Sequence, residues 1–63
     1  MSYKITLEAA RVNAGFTQKQ VAQRLGITKE TISRWEKGKT SPKADMFLCL
    51  INLYGVPIEM IKR

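Results

Sequence analysis

Sixty-three residues, 44% of them hydrophobic, with only two prolines and four glycines, read as one small folded domain over residues 1–63 and exclude a low-complexity chain. Eleven Lys and Arg against five Asp and Glu give a net charge of +6, which favours a polyanion as partner: nucleic acid first, an anionic membrane surface second. A solvated basic surface with no partner stays open, while the absence of histidine excludes a Cys/His zinc site and a His-based catalytic triad.

Folding at this length buries only ~60% of the unfolded surface, so the core must be efficient or a partner must help. Cys49 is the single cysteine, so no intramolecular disulfide can form within the chain; between Leu48 and Leu50 it reads as a small core residue. No apolar run approaches the ~20 residues of a membrane span, and residues 1–5 lack a signal-peptide apolar region. A cytoplasmic chain with no membrane partner is expected.

After a short lead-in over residues 1–5, Thr6 is placed to cap a first helix, with Glu8 in its positive first turn. Leu7, Ala10, Arg11 and Ala14 share one face, and Ala14-Gly15 reads as the stop. The second helix has a stronger signature. Thr17 and Gln20 have capping-box spacing, and Phe16 with Val21 has that of a hydrophobic staple. Val21, Ala22 and Leu25 form its inward face, and Gly26 ends it.

The third helix repeats the scheme, with Thr28 as cap and Ile27 and Ile32 as staple. Thr31, Ile32 and Trp35 cluster on one side. Lys29, Glu30, Ser33, Arg34 and Lys37 spread over roughly the opposite ~140°. Gly38 closes the helix, and residues 39–43 form a basic loop containing Ser41-Pro42. Ala44 to Tyr54 is apolar on nearly every side, with Phe47, Leu50, Ile51 and Tyr54 on one stripe and Met46, Leu48, Cys49 and Leu53 elsewhere. Such a helix is covered by its neighbours or by a second subunit. After Gly55, Pro57 opens a last short helix containing Ile58, Met60 and Ile61. The fold expected is all-α: a compact bundle of five short helices with a helix-turn-helix at residues 17–36.

A tight helix pair suits DNA because the major groove, about 12 Å wide, admits one α-helix while the other lies across the backbone. Arg11, Gly15, Thr17-Gln18, Ala22, Gly26-Ile27-Thr28, Ile32, Trp35-Glu36, Gly38-Lys39 and Pro42 together resemble the phage repressor and Cro family of helix-turn-helix proteins (XRE type). The likeness continues through Leu53-Tyr54-Gly55-Val56-Pro57 and covers essentially the whole chain. It implies a lambda-repressor-like domain that binds double-stranded DNA and regulates transcription, as a phage- or mobile-element-type repressor acting by occupancy.

The resemblance also implies residue roles. Thr28, Lys29, Glu30, Ser33 and Arg34 fall where base edges are reached. Thr17, Gln18, Lys37, Lys39, Thr40 and Lys43 fall at phosphate positions, with Gln18 also bracing the third helix. Arg11 and Glu36 match a family ion pair, and Arg11 is placed at phosphate too; as a surface pair the two would contribute only ~0–1 kcal/mol. Chemically, Arg34 can bond bidentately to guanine. Glu30 either accepts from cytosine N4 or pairs with Arg34 one turn away. Trp35 lies on the Ile32 side and reads as core rather than a stacking platform. Arg24 meets phosphate or nothing.

One such domain reads few base pairs, so a homodimer on a pseudo-palindrome is expected. Ile58 and Ile61, three apart on one helical face, suit an isologous seam, unless they cover the core of a monomer. An antitoxin or antirepressor of the same fold, binding a protein partner, is the alternative function. The residues offer no catalytic constellation, no cofactor or metal site, and no small-molecule substrate site.

Overall fold

The computed structural model describes residues 4–62. The lead-in at residues 1–3 and the solvated charge expected at Arg63 lie outside the described residues. Four α-helices follow in order: α1 (Leu7–Asn13), α2 (Gln18–Leu25), α3 (Lys29–Glu36) and α4 (Ala44–Tyr54). The architecture is all-helical, and no strand occurs among the described residues. The expected fifth helix is instead a single 3-10 turn, Ile58–Met60. Pro57 starts this turn and Ile61 leaves it with extended backbone (φ −87°, ψ 126°), so no α-helical ladder is established.

Three threonines start the first three helices by the same local chemistry. Thr6 Oγ1 accepts from the Ala9 amide at 3.0 Å, Thr17 Oγ1 from Gln20 at 3.1 Å and Thr28 Oγ1 from Thr31 at 3.2 Å. Each satisfies an amide that the helix cannot pair internally. At α2 the capping box is complete, because the Thr17 amide donates back to Gln20 Oε1 at 2.9 Å. Gly26 turns the chain between α2 and α3 with φ +70°, a left-handed conformation that favours glycine.

Ala10, Val21, Ala22, Ile32, Phe47, Leu50, Ile51, Tyr54 and Ile61 form the core, with Leu7, Phe16, Leu25 and Trp35 packed partly buried around it. Truncating Ile32 or Leu50, each 1% exposed, to alanine would cost about 2–5 kcal/mol through lost contacts and the cavity left behind. Trp35 is accordingly part of the packing. The chain ends are tied by an isolated parallel bridge: the Ile5 amide donates to Met60 O and the Lys62 amide to Ile5 O, both at 2.7 Å.

α4 corrects one expectation. Its predicted stripe of Phe47, Leu50, Ile51 and Tyr54 is buried, but Cys49 is exposed rather than in the core, and Leu48 is 53% exposed. Cys49 stands ~200° round the helix from Phe47, on the face turned from the bundle. It shares that face with exposed Asp45, Leu48 and Asn52.

Candidate nucleic-acid interface

α3 has two unlike faces. Ile32 anchors the inner one, while Lys29, Glu30, Arg34 and Lys37 are exposed and Ser33 is half-buried on the outer one. Lys39, Thr40 and Lys43, in the segment that joins α3 to α4, are exposed as well. This outer surface therefore gathers the cations Lys29, Arg34, Lys37, Lys39 and Lys43 with Glu30 as the one outward acid. Among the described residues, no ion pair joins Glu30 to Arg34. The partner that the sequence offered Glu30 within its own helix is not taken, and the Arg34 guanidinium stands unpaired.

Besides Ile32, the carboxylate of Glu36, the last residue of α3, ties this helix to its neighbours. Arg11 of α1 donates to it from Nε at 2.7 Å and from Nη2 at 3.3 Å. Gln18 of α2 donates from Nε2 at 2.8 Å. One carboxylate thus joins three helices. The remaining terminal nitrogen of Arg11, Nη1, donates to the Phe16 carbonyl at 2.9 Å, and Glu8 lies 4.0 Å from Nη2. The hydrogen bond to Glu36 raises Arg11 above its ordinary pKa against the opposing effect of burial.

The ion pair implied by the resemblance forms, in a structural setting. The Arg11–Glu36 pair is more sheltered than a surface pair: its side chains are only 11% and 5% exposed, and its hydrogen bonds are part-buried. Arg11, expected at phosphate as well, has its guanidinium turned inward onto Glu36 and Phe16. Gln18 does reach the third helix, as the resemblance implied, through the amide proton it gives to Glu36.

The threonines are similarly occupied. Thr17 Oγ1 is the cap of α2, and Thr28 Oγ1 lies 2.9 Å from Thr31 Oγ1 besides capping α3. Both residues are exposed at the starts of their helices, with one hydroxyl hydrogen each to place. The two isoleucines expected at a subunit seam are parted. Ile58 is 48% exposed, whereas Ile61 is 3% exposed inside its own subunit. The short 3-10 turn sends the second side chain into the core, so the two do not share an outward face.

Two further features emerge only with the packed helices. Arg24, eight residues after Phe16, lays its guanidinium over the Phe16 ring, 5.4 Å from the centroid. Phe16 in turn meets Tyr54 of α4, with ring centroids 6.4 Å apart at 39°. Burial, with the negative charge of Glu36 and against the opposing charge of Arg11, pushes the Tyr54 phenol up to about 12. The stacking could have been suspected from the tendency of long helical side chains to lean toward the N-terminus. The environment of Tyr54 depends on two other helices.

Similarity to known proteins agrees with this geometry. The helix-turn-helix family matches residues 7–61. The chain is 38% identical over 61 residues to the HTH-type transcriptional regulator ImmR of Bacillus subtilis, covering 97% of this chain and 48% of that protein. It is 42% identical over 48 residues to the cryptic phage CTXphi transcriptional repressor RstR of Vibrio cholerae, covering 76% and 43% respectively. With the HTH-type transcriptional activator BcrR of Enterococcus faecalis it shares 30% identity over 59 residues, 94% of this chain and 29% of that one. The chain thus spans less than half the length of these three relatives. From the start of α1 to the buried Ile61 the match is continuous, and the chain belongs to the helix-turn-helix family, in the XRE-type branch that includes phage-associated transcriptional regulators.

Proposed function

We propose that residues 1–63 act as one DNA-binding domain that places α3 in the major groove of double-stranded DNA and regulates transcription without catalysis. The observation that carries this reading is the exposed cationic face of α3, on a helix that a buried carboxylate ties to α1 and α2. A rigid helix with unpaired cations reads base edges more sharply than a mobile one, because less side-chain and backbone freedom is lost on binding. Lys29, Glu30, Ser33 and Arg34 are assigned to base edges, with Arg34 bidentate to guanine and Glu30 accepting from cytosine. Thr28 can donate its one hydroxyl hydrogen to a base or a neighbouring phosphate. Thr17, Gln18, Lys37, Lys39, Thr40 and Lys43 are assigned to the phosphates. Gln18 retains one amide hydrogen after bonding Glu36.

The finer reading is a homodimer on a pseudo-palindromic operator, with half-sites ~34–36 Å apart. Ile58 and the exposed Leu48 offer apolar surface for the seam. Repression by occupancy agrees with the name of RstR, a repressor, whereas BcrR is named as an activator. Such a regulator would work in the cytoplasm. Selection from randomised duplexes at two salt concentrations tests the reading. A two-fold motif whose affinity falls steeply with salt is expected, and no enriched motif at either salt would sink it in favour of a protein-binding module.

A further inference from the structure

We infer that the outer face of α2 carries a second docking site, built from Arg24, Gln20 and Gln23 against the Phe16 ring, which takes a carboxylate side chain of an acidic protein partner. These four residues line a concave surface of about 390 Å³. The site lies off α3, although its Gln20 is bonded to the amide of Thr17, one of the residues assigned to phosphate.

Its chemistry is one-sided. Gln20 has its amide oxygen held by the Thr17 amide at 2.9 Å in the capping box, so the free end is the NH₂ group, a pure donor. Arg24, one turn further on, is exposed and has no acidic partner among the described residues. Its guanidinium lies over the Phe16 ring, 5.4 Å from the centroid, a cation–π contact that favours this placement. Gln23 is exposed on the adjoining part of the face and can adapt its amide to whatever binds. A cationic fork and an oriented amide, with no acid beside them, select an oxyanion. The fork matches the two parallel oxygens of a carboxylate.

Orientation favours a protein carboxylate over a DNA phosphate. Gln18 of α2 points to Glu36 of α3, whereas Gln20 and Arg24 stand ~200° and ~240° round the helix from Gln18. Arg24 leans instead on Phe16, whose ring meets Tyr54 of α4. The site therefore opens away from the α3 side of α2, and a duplex engaged by α3 would leave it free for a second macromolecule.

The test is a ¹⁵N NMR titration of the chain with three probes in turn: a blocked tetraglutamate peptide, inorganic phosphate and a short DNA duplex. The peptide is expected to shift the Arg24 Nε–H and the Gln20 and Gln23 side-chain amides saturably. Arg24→Gln, at an exposed position, should keep the backbone spectrum and weaken peptide binding at least ~10-fold, the ratio expected for one charge-assisted hydrogen bond. Arg24→Lys should also weaken it, since lysine keeps the charge and loses the fork. Equal binding by Arg24→Lys would reduce the site to general charge attraction and overturn the proposal. So would peptide shifts centred on Lys29 and Lys37, phosphate binding as tight as the peptide, or a duplex that moves the Arg24 Nε–H as strongly as α3.

Discussion

Two charged clusters on the same helix behave in opposite ways. At the C-terminal end of α3, Glu36 is nearly buried, and Arg11 and Gln18 from two other helices complete its hydrogen bonding. On the outer face, Lys29, Glu30 and Arg34 are exposed and unpaired with one another, although Glu30 and Arg34 have the spacing for an ion pair. The difference lies in desolvation. A buried carboxylate must be paired or the helix cannot keep its place. An exposed one loses little by staying in water, where an ion pair gains at most ~1 kcal/mol. The inner cluster therefore serves the fold, and the outer one is left for a partner.

That contrast can be broken most directly at Glu36. Glu36→Ala should cost about 1.5–3 kcal/mol by removing the charged acceptor that Arg11 and Gln18 share. Urea unfolding measures it. A loss below ~1 kcal/mol would show that the inner cluster behaves like a surface pair. Arg34→Ala should do the reverse, leaving stability within ~0.5 kcal/mol and removing ~1–3 kcal/mol of discrimination at one base position. An equal loss of affinity on every duplex would contradict its assignment to a base.

pH offers a finer probe of the interior. The Tyr54 phenol is raised to about 12 in the folded chain from an ordinary 10.0, so between those values the folded state holds the proton that the unfolded state releases. Stability is then full below pH 10 and falls as pH rises toward 12, by up to about 2 kcal/mol. Tyr54→Phe should remove that part of the slope, whereas identical profiles for the two proteins from pH 9 to 12 would refute the burial argument. The smallest effect belongs to the outer loop. Lys39→Ala should weaken all duplexes alike and lower the salt-dependence slope by ~1, with no change in base preference.

The parts of the fold legible in sequence were those governed by short-range chemistry. Thr6, Thr17 and Thr28 announced their helices because a cap is a hydrogen bond to an amide three residues on. The buried stripe of α4 followed from its 3.6-residue period. Cys49 is exposed although its apolar neighbours suggest a core position, because which side of α4 is covered depends on where the other helices lie. Ile58 and Ile61 share a face only in an α-helix, whereas three residues here form a 3-10 turn. The pairing of Arg11 with Glu36 came through family resemblance, since nothing in the spacing of two residues 25 apart announces a contact.

Legible without the packed structure, then, were the four α-helices, the threonine caps of the first three and the apolar faces that must turn inward. All of these rest on interactions spanning a few residues or on a repeating period. Only the tertiary structure decided that Glu36 ties three helices together, that Arg11 faces inward, that Tyr54 holds its proton and that Arg24 rests on Phe16. Those facts depend on burial and on charges brought together across the chain, and neither exists until the helices have packed.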